Sequence, residues 1–185
     1  MKRVFVVHGW KSKPSSNWFP WLKSELRLWP VEAQVLAMPH PEKPKREAWM
    51  KTIAKAVRVP DEDTFFVGHS LGGIAILRYL ESLPSKTRVG GVVLVAGFPE
   101  SINRSEIMTF FEKPLDYGKI RQIAGSNIVA IQSTNDPYVP FEHGEKLRDA
   151  LLARLVVIES GGHLNSASGH VTLPVVLKEL VELGC

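Results

Sequence analysis

Short runs of Val, Ile, Leu and Phe alternate along this chain with longer stretches whose apolar residues recur at helical spacing. The short runs predict β-strands over Arg3–His8, Gln34–Ala37, Thr64–Gly68, Gly91–Ala96, Ile128–Ser133 and Leu155–Glu159. Several are nearly unbroken rather than alternating, as expected of parallel strands buried on both faces. The longer stretches predict helices over Trp18–Trp29, Glu47–Val57, Leu71–Leu83, Phe141–Leu152 and Leu173–Leu183. In the second of these, Trp49, Ile53 and Ala56 share a face, and Pro84 marks the end of the third. Strand and helix in alternation predict a three-layer α/β architecture, a mostly parallel central sheet of about six strands with helices on both faces. Right-handed crossovers would bring the strand C-terminal ends to one edge, where sites in open α/β sheets form. The stretch Phe98–Arg121 is the least regular; it has room for a short helix or two over that edge and none for a large lid. With no repeat, linker or low-complexity segment, residues 1–185 read as a single domain.

Composition narrows the picture. A chain of 185 residues can bury a substantial core, and 44% hydrophobic with 23% charged residues is ordinary for a globular protein. No apolar run approaches the roughly 18 residues of a membrane-spanning helix. The start Met1-Lys2-Arg3 superficially resembles a signal sequence, but the apolar run Val4–Val7 stops at His8-Gly9 and reads as a strand. A cytoplasmic location is the default expectation. Cys185, the lone cysteine, excludes an internal disulfide and a cysteine metal cluster, and its place at the chain end does not suit a catalytic thiol. The net charge of +4 is spread along the chain, and Lys43-Pro44-Lys45-Arg46 reads as a solvated helix start. Without a motif of that class, a nucleic-acid partner is not expected.

The chemistry begins at Gly68-His69-Ser70-Leu71-Gly72. A G-x-S-x-G pattern alone arises by chance in roughly 6% of chains this long, so context decides. Here it follows the apolar strand Thr64–Val67 and opens the helix beginning at Leu71. A sharp strand-to-helix turn would project Ser70 at the sheet edge, with glycines relieving the crowding. A serine hydroxyl needs a base. Among six histidines, His163 stands out, because Gly161-Gly162-His163 follows the last strand on a flexible turn; His170 is the nearest rival. The base needs a carboxylate to set its tautomer. Asp136 follows the strand Ile128–Ser133 within Asn135-Asp136-Pro137, which also reads as an Asx turn, while Asp116 and Asp149 lack a preceding strand end. The resulting order of Ser, Asp and His is that of α/β-hydrolases.

Acyl transfer also requires donors for a developing oxyanion. The backbone N–H of Leu71, next to the nucleophile, is one candidate, and that of Trp10, in the loop after the first strand, is the other. His8 reads as a buried imidazole bonded to loop backbone rather than as a second base. Trp18, Trp21 and Trp29 read as core-facing helix residues. Trp10 is the first candidate for the substrate pocket and Phe98 the second.

These residues resemble the small serine hydrolases related to retinoblastoma-binding protein 9, including the bacterial YdeN-type members. The resemblance runs through Val4–Gly9, Ser16-Asn17-Trp18-Phe19-Pro20-Trp21-Leu22, Met38-Pro39-His40-Pro41, Gly68–Gly72, Asn135–Pro140 and Gly161–His163. It implies a compact α/β-hydrolase domain with no cofactor and no metal, a triad of Ser70, Asp136 and His163, and no opening two-stranded hairpin. It does not carry over a substrate or retinoblastoma binding, since no Leu-x-Cys-x-Glu motif is present. The expected activity is that of an esterase or amidase acting on a small-molecule acyl substrate through an acyl-enzyme. Two alternatives stay open: an acyltransferase using the same triad, and a catalytically vestigial protein-binding module on a hydrolase scaffold. Oligomeric state is also open, a monomer being compatible with this reading.

Overall fold

The computed structural model describes residues 1–185. Its strands are β1 (Lys2–Val7), β2 (Val31–Leu36), β3 (Thr64–His69), β4 (Gly91–Val95), β5 (Ile128–Ser133) and β6 (Arg154–Ile158). Its helices are α1 (Phe19–Leu26), α2 (Arg46–Val57), α3 (Leu71–Ser82), α4 (Tyr117–Ala124), α5 (Glu142–Leu151) and α6 (Pro174–Glu182). The strands form one sheet in the order β2-β1-β3-β4-β5-β6, and every pairing is parallel. No helix is long and apolar enough to cross a membrane.

The period of two along each strand divides the core into two layers. Phe5 and Val7 of β1 face one layer, with Trp49 and Ile53 of α2, most of α3, Ile120 of α4 and Leu147 of α5. Val4 and Val6 face the other, with Phe19, Leu22 and Leu26 of α1 and Val176 and Leu180 of α6. Strands β3, β4 and β5 are buried at every position, which fits their apolar runs Phe65–Val67, Gly91–Val95 and Ile128–Ile131.

The edge strand β2 is longer than expected because one of its faces is open to solvent up to Leu36. Val31, Ala33 and Val35 are half-buried while Glu32 and Gln34 are exposed, so no apolar run marks its start. Helix α1 is shorter than expected and stops at Leu26. Trp29 therefore lies in the turn before β2 and is 44% exposed, against the expectation of a core residue. Trp18 is fully buried, and Trp21 is half-buried against the α1–α6 layer, as expected.

The irregular stretch after β4 contains a 3-10 turn over Ser105–Phe110 and leads into α4, whose first turn is capped by Asp116 accepting from the Lys119 N–H at 2.9 Å. That cap accounts for Asp116. Arg78 of α3, 2% exposed, fastens the stretch: its guanidinium donates to the carbonyls of Phe110 (2.8 Å), Lys113 and Pro114 (3.2 Å). Arg78 also pairs with Glu81 at 2.7 Å, and Glu81 accepts the Asp116 N–H at 2.9 Å. The stretch is thus bound to the helical layer.

Candidate active site

The junction between β3 and α3 leaves no space for a side chain at Gly68 or Gly72. A Cβ on Gly72 would meet the Val7 carbonyl oxygen at 2.0 Å, and one on Gly68 would meet the Gly73 Cα at 2.6 Å. Between them Ser70 adopts φ 54° and ψ −122°, a sparsely populated conformation for a residue with a side chain. A hydrogen bond from the Ser70 N–H to the Val95 carbonyl, at 2.8 Å, holds the turn.

The loop after β1 passes directly over this turn. A Cβ on Gly9 would lie 3.1 Å from Ser70 Cβ and 3.2 Å from the His69 carbonyl oxygen. Neither the Leu71 nor the Trp10 N–H donates to an acceptor within the protein. Two unpartnered amides therefore flank the serine, one from the helix N-terminus and one from the loop.

On the other side, His163 lies in the turn after β6 and is 8% exposed. Its Nδ1 is 2.7 Å from Oδ2 of Asp136, whose side chain is fully buried. An ionised carboxylate only accepts, so Nδ1 carries the proton and Nε2 of the neutral ring is left as an acceptor. Asp136 is held by its other oxygen, Oδ1, which accepts the N–H groups of Tyr138 (2.8 Å) and Val139 (3.0 Å). Asn135 joins the two loops: its Oδ1 accepts the Gly162 N–H at 2.7 Å and the Ser133 hydroxyl at 3.0 Å. The rival His170 is occupied elsewhere, its Nε2 donating to the Gly161 carbonyl at 2.9 Å. Asp149 lies on α5 and is ion-paired with Arg148.

Two further imidazoles brace the site. His8 is 1% exposed; its Nε2 accepts the Met38 N–H at 3.2 Å, so Nδ1 donates to the Gly9 carbonyl at 2.8 Å. Burial pushes its pKa down despite that bond. This is the buried, backbone-bound ring expected from the sequence. His69 was not singled out beforehand. Its Nε2 donates to the His163 carbonyl at 3.0 Å, and its ring packs 4.9 Å from that of His163 and edge-on to Trp18 and Phe19. Burial, reinforced by the adjacent His163 imidazole, pushes its pKa down to about 3.

Ser70, His69, His163, Gly9 and Trp10 line one cleft of about 520 Å³. The Trp10 indole is fixed by donation to the Glu42 carbonyl at 3.0 Å. Phe98 is not part of the cleft wall. It is 1% exposed, packs with its ring centroid 5.7 Å from that of Phe111, and belongs to the core beneath. No residue of the stretch after β4 lines the cleft either, because Arg78 draws that stretch onto α3. A wider groove of about 780 Å³ runs between α2, α3 and residues 113–119, but it holds no histidine and no serine beside a base.

A family model described as serine hydrolase matches residues 4–182. The chain is 36% identical to YdeN of Bacillus subtilis over 176 residues, 95% of this chain and 92% of that protein. It is 28% identical to the serine hydrolase RBBP9 of Rattus norvegicus over 95% of this chain and 93% of that one. The crystal structure of the Bacillus subtilis ydeN product superposes with a TM-score of 0.94 at 35% identity, covering 99% of this chain and 98% of that one. A variant of polyneuridine aldehyde esterase superposes with a TM-score of 0.69 at 13% identity, over 100% of this chain and 99% of that one. The fold is that of the α/β-hydrolases, without a large lid.

Proposed function

We propose that this chain, which belongs to the serine hydrolase family, hydrolyses an ester or amide bond of a small-molecule acyl substrate through an acyl-enzyme on Ser70. One observation carries the proposal. A serine held on a strained strand-to-helix turn opens into the same cleft as a histidine whose Nδ1 is bonded at 2.7 Å to a buried carboxylate.

The steps follow from the atoms present. Ser70 Oγ attacks the substrate carbonyl carbon while His163 Nε2 takes the hydroxyl proton. The imidazolium so formed is stabilised by Asp136, whose bond to Nδ1 leaves Nε2 as the proton acceptor. Negative charge gathers on the carbonyl oxygen, and the N–H groups of Leu71 and Trp10 receive it; each such donor is worth about 3 kcal/mol in the transition state. His163 gives its proton to the leaving alkoxide or amine as the bond to the acyl carbon breaks. It then takes a proton from water, whose oxygen attacks the acyl-enzyme, and returns it to Ser70.

Labelling with a fluorophosphonate tests this reading. Stoichiometric modification of the parent at Ser70, lost in Ser70→Ala and His163→Ala, is the expected result. A well-folded parent that resists the probe would instead support a vestigial, non-catalytic scaffold.

A further inference from the structure

Resting on the hydrolase reading above, we infer that the cleft selects an acyl substrate bearing an anionic group, held by Lys11 and Lys13. The wall of the cleft is polar, with only 2 of its 14 residues hydrophobic, which suits a long apolar acyl chain poorly. Lys11 and Lys13 supply its fixed charge, and no carboxylate side chain lines it. Both lysines are exposed, and neither takes part in an ion pair. Two unpaired cations at the mouth of a cleft focus a positive potential into it and favour an incoming anion.

The loop that carries them is fixed. Lys11 sits at φ 55°, in the left-handed region, and its N–H donates to the Pro41 carbonyl at 3.0 Å. Its Nζ lies 4.5 Å from the centroid of the Trp10 ring, so the cation rests on an aromatic face that is itself anchored to Glu42. The Lys13 N–H donates to Ser16 Oγ at 3.2 Å, which closes the following turn. The two lysine ammonium groups are the donors an anionic group would meet at the cleft. Carboxylate and phosphate monoester groups share this chemistry.

Three fluorophosphonate probes with tails of equal length, ending in a neutral amide, a carboxylate or a phosphate monoester, separate the possibilities. Rate constants for modification of Ser70 are measured at low salt. An anionic tail should raise the rate about tenfold over the neutral one, and high salt should erase the advantage. The ratio of anionic to neutral rates should fall to near one in the Lys11→Ala/Lys13→Ala double variant and invert when both are changed to Glu. Whichever of the carboxylate and phosphate probes is faster identifies the group. Equal rates for all three probes, or a preference that survives in the double variant, would overturn the inference while leaving the hydrolase reading intact. Failure of every probe to modify folded protein would remove the hydrolase reading and this inference with it.

Discussion

Replacing Gly72 by Ala should destabilise the protein by about 3 kcal/mol or more, although helix propensity alone argues the opposite sign. Gly72 is the second residue of α3, where Ala would gain up to about 1 kcal/mol over Gly. Its Cβ, however, would stand 2.0 Å from the Val7 carbonyl oxygen and 2.9 Å from that of His8. Ordinary contact begins at 3.4 Å, so β1 and α3 would have to part by about 1.4 Å, the difference between 3.4 and 2.0. Both partners are backbone, and no rotamer change can relieve the overlap. Leu71, Ile74 and Ala75 are fully buried at this seam, and a gap of about 1 Å forfeits roughly half of each dispersion contact across it. The neighbouring Gly73 supplies the control. A Cβ there meets Leu94 Cδ2 at 3.5 Å and Gly97 Cα at 3.7 Å, which is ordinary contact. Gly73→Ala should be neutral or stabilising by up to about 1 kcal/mol. Urea unfolding followed by tryptophan fluorescence reads both effects, and at a slope of about 2 kcal/mol/M the Gly72 variant should lose about 1.5 M in midpoint. If the two variants shift in the same direction, the close approach of β1 to α3 is not what requires glycine at position 72.

Two other outcomes are expected. In Asp136→Asn, the side-chain oxygen can still accept from Tyr138 and Val139, but the anion beside His163 Nδ1 is gone; kcat should fall about 10⁴-fold with the fold retained by circular dichroism. Hydrolysis within tenfold of the parent would remove Asp136 from the proposed mechanism. For His69, the folded-state pKa of about 3 lies below the ordinary 6.5, so over that interval the unfolded chain binds a proton that the folded one cannot. The stability this residue confers is complete above about pH 6.5 and declines by up to about 1.4 kcal/mol per unit as pH falls toward 3. His8, shifted downward by burial, adds to the same acid loss. Urea midpoints between about pH 4.5 and 7.5 should slope less in His69→Gln than in the parent, and an unchanged slope would show that His69 is not the buried neutral group.

The parts of this fold that were legible in the sequence are those where one physical demand dominates. β3, β4 and β5 are enclosed on both faces, and continuous apolar runs announce them within a residue or so. β2 and α4 were harder because each shows solvent a polar face. Glu32 and Gln34 interrupt the first, and Lys119, Arg121 and Gln122 dilute the second. The positions of Ser70, Asp136 and His163 at strand ends could be read because the chain direction of a parallel sheet places those ends together. Phe98 was misjudged for a related reason. It too follows a strand, but its ring turns inward onto Phe111 and His143, an orientation that order along the chain does not encode. The bracing bonds of His69 and Asn135 also depend on loops distant in sequence.

The imidazoles around the cleft illustrate how burial divides labour among residues of one type. His8 and His69 are each locked in a single tautomer by a main-chain carbonyl: His8 donates to Gly9 and His69 donates to His163. Each ring therefore acts as a spacer, one setting the height of the loop that presents the Trp10 amide and the other the height of the turn that carries His163. Both tasks require a neutral ring. A protonated His8 would turn a second N–H against the Met38 amide, and a protonated His69 would bury an unbalanced charge beside His163. Burial disfavours both states and lowers both pKa values. His163 alone among the three has a carboxylate, Asp136, at its second nitrogen, and so a partner for positive charge. Two rings fixed in the neutral state hold the backbone, and the third, paired with Asp136, is the one the proposed mechanism uses for proton transfer.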